Sequence, residues 1–181
     1  MEPATIKYEC KWGEPDPTWK TKPSKVYKIN MDLPAKDRWN EIITDNHDII
    51  MQVIKEASEE IPLWLAKLTP TSWIRNYHPK LFEEIEALSE LLKLDIGIVF
   101  WMNMLYELYT YCTSIITQDK KGNIYHGRNL DWDMRGGLAN MYHVVEFHHQ
   151  GKLLYKGHVV PGCLGILSGV KPGAFALSIN Q

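Results

Sequence analysis

Residues 106–132 read "YELYTYCTSIITQDKKGNIYHGRNLDW", and Cys112 divides two kinds of pattern. Upstream, "DIGIVFWMNMLYELYTY" (95–111) is aromatic and aliphatic almost throughout. That composition predicts a buried helix with Asp95 as its N-cap. Downstream, the β-type runs "CTSIIT" and "NIYHGRNLDW" flank "QDKKG", whose glycine suits the positive φ of a hairpin turn. If the turn centres near Lys120 and Lys121, Cys112 faces Arg128 or Asn129, and opposed Cβ atoms lie roughly 4.5–5.5 Å apart. The expectation is a thiol beside a guanidinium, with Asp131 further along the same strand. A neighbouring cation raises the thiolate fraction of a cysteine, which is a physical route to a nucleophile. The competing reading of Cys112 is a buried structural thiol.

Working outward, residues 1–25 ("KWGEPDPTWKTKPSK" at their end) are rich in Pro, Lys and Trp and read as an extended arm. "KVYKINMDL" (25–33) alternates as a strand does. From Pro34 to Ile61, Trp39, Ile42, Ile43, Ile49, Ile50, Val53 and Ile54 recur at helical spacing, predicting one amphipathic helix opened by proline. "PLWLAKL" and "PKLFEEIEALSELLKL" predict two further helices, each started by Pro. Beyond the first hairpin, "MYHVVEF" and "KLLYKGHVV" flank "HHQG", and "GILSG" and "AFALSIN" flank "VKPG". The chain therefore divides into a helical region, 1–111, and an antiparallel sheet, 112–181: an α+β protein.

Composition narrows the function classes. The 181 residues are 45% hydrophobic and 23% charged with a net charge of −2, which fits one globular domain able to bury a core. Lys and Arg are scattered and form no basic stripe, so a nucleic-acid partner is not expected. The run from Ile96 to Tyr111 is too short and too polar for a membrane span of roughly 20 residues. The N-terminus has neither a basic nor an apolar segment of signal-peptide type. Of the three cysteines, Cys10, Cys112 and Cys163, none is spaced for a CxxC metal site.

The stretch "CTSIITQDKKGNIYHGRNLDW" resembles the signature of the acid ceramidase and N-acylethanolamine acid amidase family, N-terminal nucleophile hydrolases related to the choloylglycine (bile salt) hydrolases. "YKINMDLPAKDRW", "MLYELYTYCTS" and "GCLGILSGVKPGAFALSIN" extend the resemblance over residues 26–181. It implies a partial αββα sandwich, with residues 1–111 as an α-subunit and 112–181 as the start of a β-subunit, separated by self-cleavage of the Tyr111–Cys112 bond. It implies that Cys112 is the nucleophile and its freed α-amine the general base. An α-amine ordinarily titrates at roughly 7.7–8.0, nearer neutrality than lysine. Arg128 would orient the thiolate, Asp131 would hold the amine, and Asn180 would serve the oxyanion hole. The implied reaction is hydrolysis of ceramide to sphingosine and fatty acid, in the lysosome, without metal or other cofactor. A lipid-presenting activator protein is a further partner that the resemblance admits.

Two departures accompany it. Gln181 stands where family members carry glutamate, and relatives continue past this point with another asparagine and arginine of the site. The expectation is either a fragment of a longer product or a truncated form lacking part of the catalytic apparatus, and as given a weak amidase. Two alternatives stay open: an N-acylethanolamine hydrolase, and a non-catalytic lipid-binding chain. Of the remaining polar residues, His148 and His149 read as turn residues rather than ligands, and His126 as packed on the hairpin rather than a base. Cys163 reads as a small core residue or a channel lining. The resemblance implies that Cys10 pairs with a cysteine beyond this chain, as in ceramidases whose subunits are linked.

Overall fold

A computed structural model describes residues 25–59, 62–132 and 141–180, with the backbone alone for 105–111 and 132. The sequence-predicted arm, Cys10 and Gln181 lie outside the described residues. The described residues open with strand β1 (Val26–Asn30) and include six helices: α1 (Ala35–Asp45), α2 (His47–Ala57), α3 (Leu63–Lys67), α4 (Ser72–Tyr77), α5 (Pro79–Leu92) and α6 (Ile96–Tyr109). Six strands follow: β2 (Thr110–Gln118), β3 (Ile124–Trp132), β4 (His143–His149), β5 (Lys152–Val159), β6 (Ser168–Lys171) and β7 (Phe175–Ser178). No described helix is long and apolar enough to cross a membrane.

The long helix expected over 34–61 is two helices. Asn46 interrupts them at φ −114°, ψ 12°, because its buried carboxamide is engaged by three partners. Nδ2 donates to the Ile42 carbonyl at 2.8 Å and to the Tyr27 hydroxyl at 3.1 Å, and Oδ1 meets His143 Nε2 at 2.8 Å. A buried amide must be satisfied, and doing so from β1 and β4 fixes the break. Helix α4 was also not expected from the sequence. The Asp95 cap is present: Oδ1 accepts from the Gly97 amide at 2.9 Å. Gly97 is where α6 touches α3, and a Cβ there would lie 2.2 Å from the Ala66 carbonyl oxygen.

The strands form two sheets. One has the order β1-β4-β5-β6-β7 and the other is the β2-β3 hairpin. All pairings are antiparallel except β1 with β4, which is parallel (Val26↔Val144). The antiparallel sheet expected from the sequence is thus mixed, and its edge strand comes from the helical region. One face of the large sheet carries Tyr27, Ile29, Val145 and Phe147 into a core completed by Trp39, Ile42, Ile50, Leu88, Val99 and Met102 of the helices. The alternating burial of β1 records this directly: its outward residues are exposed and its inward ones buried. The opposite face, carrying Val144, Lys156, His158 and Ser178, meets the small sheet across a cavity. Helices, sheet and sheet are stacked as three layers of the partial αββα architecture.

Candidate active site

The site is built on the β2–β3 hairpin, and the loop sets its register. Residues 119–123 close it: Asp119 Oδ1 accepts from the Lys121 amide at 2.8 Å and the Asn123 amide at 2.9 Å, and Gly122 takes φ 86°. The hydrogen bonds to Asp119, the Asn123 side chain's foremost, hold its carboxyl below the ordinary range. The turn therefore centres on Lys121 itself, later than expected. Cys112 pairs with Leu130 and Arg128 with Ser114, not Cys112 with Arg128 or Asn129.

A shift of two positions keeps side chains on the same face, since strand periodicity is two. Cys112 and Arg128 are consequently diagonal neighbours, within reach of a long side chain. Arg128 Nη2 stands 3.1 Å from Cys112 Sγ and donates to the Ile179 carbonyl at 2.9 Å. The thiol and the end of β7 thus share one guanidinium nitrogen. Both Cys112 and Arg128 are half-buried, so the guanidinium and the sulfur meet with reduced solvent screening.

Asp131 is placed differently. It pairs with Tyr111, so its side chain lies on the face away from the thiol, exposed, accepting from Asn129 Nδ2 at 2.7 Å. The structure brings together Cys112, Arg128 and the Ile179–Asn180 segment, and leaves the Asp131 carboxylate outside that group. Its pairing partner is nonetheless the residue that precedes Cys112.

Three polar residues not singled out from the sequence as site residues complete the group. Ser114 Oγ donates to Asn180 Oδ1 at 2.8 Å and lies 2.7 Å from Ser178 Oγ, which lies 3.1 Å from His126 Nε2. Period-two alternation from Cys112 points to Ser114, and from Arg128 to His126. Ser178 carried no signal, because its proximity depends on how the two sheets stack. His126 and Arg128 line a cavity of about 300 Å³ between the sheets, with Lys156, His158 and Val170 across it. Lys156 Nζ is 2.5 Å from Glu146 Oε1, and this contact, more than that of His148, keeps the Glu146 carboxyl low.

Cys163 is a partly buried residue packed against the core. Its Sγ approaches the Met102 carbonyl at 3.7 Å, and burial pushes the thiol up to about 12, so it stays protonated and unreactive. His149 Nδ1 sits 2.5 Å from Asp32 Oδ1 and His148 Nε2 3.3 Å from Glu146, each tied to one carboxylate. Among the described residues, no group of three His, Cys, Asp or Glu side chains is arranged to hold a metal ion.

Comparison with known proteins finds matches for two stretches of the chain. Residues 112–181 match the family described as linear amide C–N hydrolases, choloylglycine hydrolase family, and residues 22–85 match the beta subunit of N-acylethanolamine-hydrolyzing acid amidase. An N-acylethanolamine-hydrolyzing acid amidase of Caenorhabditis elegans is 33% identical over 169 residues, covering 85% of this chain and 47% of that protein. Acid ceramidases of Homo sapiens (28% over 176 residues; 86% and 45%) and Bos taurus (30% over 182 residues; 88% and 46%) are similar over the same extent. These matches support assignment of the chain to the acid ceramidase and N-acylethanolamine acid amidase family. The chain spans about half the length of the curated relatives it matches.

Proposed function

We propose that the chain supplies the nucleophile of a cysteine amidohydrolase that cleaves the amide bond of a fatty N-acyl amide. The observation that carries this reading is the 3.1 Å contact between Arg128 Nη2 and Cys112 Sγ, in a chain related to linear amide hydrolases. The working enzyme arises by scission between Tyr111 and Cys112, giving an N-terminal subunit (1–111), here termed α although its residues 22–85 match a description that names a beta subunit, and a second, β, that begins at Cys112. In that scission Sγ attacks the Tyr111 carbonyl carbon, the C–N bond breaks with proton transfer to nitrogen, and water hydrolyses the thioester. The products are a Tyr111 carboxylate, a free thiol and a new α-amine. Asp131, paired with Tyr111, then has a cation to hold.

In turnover the α-amine takes the thiol proton and Sγ adds to the substrate carbonyl. The oxyanion is met by an amide donor, for which Asn180 is the candidate. The ammonium returns its proton to the leaving nitrogen, the amine departs, and water releases the fatty acid from the thioester. Ceramide is the substrate proposed first, on the resemblance of "MDLPAKDRW", "YELYTYCTS" and "KPGAFALSIN" to ceramidases, with the lysosome as the compartment. The similarity to the nematode amidase favours N-acylethanolamines as the second reading. The test is peptide mass analysis of the chain after incubation with N-lauroyl-sphingosine or with N-palmitoylethanolamine. The proposal expects an acyl adduct on Cys112 and its absence from Cys112→Ala. An unmodified Cys112 together with no release of fatty acid from either lipid would contradict it.

A further inference from the structure

The four side chains behind the thiol form a hydrogen-bond chain whose direction is fixed by chemistry. Asn180 Oδ1 can only accept, so the Ser114 hydroxyl proton is committed to it at 2.8 Å. Ser114 then has only lone pairs for Ser178, whose own proton must point to Ser114 Oγ at 2.7 Å. Ser178 in turn accepts from His126, 3.1 Å away, which requires a proton on Nε2. The chain runs His126 Nε2–H to Ser178 to Ser114 to Asn180 Oδ1, each member polarising the next. It ties the hairpin (Ser114, His126) to β7 and the residue after Ile179 (Ser178, Asn180). Ser114 follows Cys112 on the same strand face, and Arg128 joins the thiol to the neighbouring Ile179 carbonyl.

A carboxamide whose oxygen is anchored has its nitrogen turned the other way, and Asn180 Nδ2 has no protein acceptor among the described residues. We propose that Ser114 and Ser178, backed by His126, are positioning residues that orient the Asn180 carboxamide with Nδ2 free to donate to the oxyanion formed at Cys112. Rotated by half a turn, the same amide would offer oxygen to the developing charge and repel it. The inference rests on the amidase reading for its catalytic consequence, while the orientation itself is independent of it.

The experiment uses the whole chain and two readouts. Acylation of Cys112 by p-nitrophenyl laurate, followed on the Cys112 peptide, passes through a tetrahedral oxyanion; alkylation by iodoacetamide forms none. Loss of one oxyanion donor costs about 10²–10³ in rate, so a disoriented donor in Ser114→Ala is expected to slow acylation about 10- to 100-fold. Alkylation should stay within about twofold, because Arg128 is untouched. Ser114→Thr, which keeps the hydroxyl, should restore acylation, and Ser114→Ala with Asn180→Ala should be no slower than Asn180→Ala alone. Separately from any reaction, the side-chain amide resonances of Asn180 in ¹⁵N-labelled protein should move toward those of a free asparagine in Ser114→Ala. Unmoved resonances, unchanged acylation, or additive losses in the double variant would overturn the proposal. Absence of acylation at Cys112 in the unsubstituted chain would instead overturn the amidase reading, and the resonances would still decide the orientation.

Discussion

Replacing Gly97 by alanine sets two effects of opposite sign against each other. In a helix, alanine is favoured over glycine by roughly 1 kcal/mol, because glycine loses more backbone entropy on folding. A substitution judged from the helix alone would therefore stabilise the protein. At Gly97 the added Cβ would lie 2.2 Å from the Ala66 carbonyl oxygen and 3.1 Å from its carbon. Both belong to the backbone of α3, so no side chain can rotate away, and α6 and α3 must move apart. That separation loosens the contacts of Ala66, Ile98 and Met102, all buried in the core. Overpacking of a close-packed site costs about 1–3 kcal/mol; with backbone as the obstacle the upper part of that range applies. The net expectation is a loss of about 1–2 kcal/mol once the helix gain is subtracted. Urea unfolding followed by tryptophan fluorescence and by far-ultraviolet circular dichroism measures it. Gly127→Ala serves as the control, since a Cβ there meets nothing within 4 Å, and it should not destabilise comparably. A Gly97→Ala midpoint at or above that of the unsubstituted chain would refute this reasoning.

Other perturbations test the site and the core. Arg128→Gln removes the guanidinium from both the Cys112 thiol and the Ile179 carbonyl; iodoacetamide alkylation of Cys112 at neutral pH should slow about tenfold, and an unchanged rate would remove Arg128 from thiolate stabilisation. Asp131→Asn should slow scission at Tyr111–Cys112 and the hydrolysis that follows, because the new amine loses its anionic partner; kinetics equal to the unsubstituted chain would exclude that role. Burial, with a smaller push from Lys25, holds the His143 imidazole below its ordinary 6.5. The unfolded chain therefore takes up that proton first, so His143 lowers stability as pH falls through 6.5 and toward its folded-state value. His143→Gln should flatten the decline in urea midpoint between about pH 7.5 and about pH 5, and an identical decline in both proteins would contradict this.

The parts of the fold legible in the sequence are those set by neighbours along the chain. Gly122 and its polar loop announced the first hairpin, Pro79 the start of α5, and Asp95 the start of α6. The break at Asn46 was hidden because the helical spacing continues through it; only Tyr27 and His143, distant in sequence, make the break favourable. The parallel pairing of β1 with β4 joins residues more than a hundred positions apart and leaves no local trace. In the site, the thiol–guanidinium pair was legible because an even register error preserves faces. Asp131 fell on the other face for the same reason, being an odd number of positions from Arg128. The Ser114–Ser178–Asn180 contacts depend on the packing of two sheets and lay beyond any pattern along one strand.

Attack of the Cys112 sulfur on the carbonyl that precedes it is the step on which the proposed chemistry depends most directly, and it needs no substrate. Intact mass spectrometry after incubation at acidic pH reads it without ambiguity. The expected result is two fragments dividing between Tyr111 and Cys112, slow or partial division in Cys112→Ser, and a single intact mass in Cys112→Ala. An unsubstituted chain that stays whole, or a Cys112→Ala chain that divides at the same bond, would contradict it.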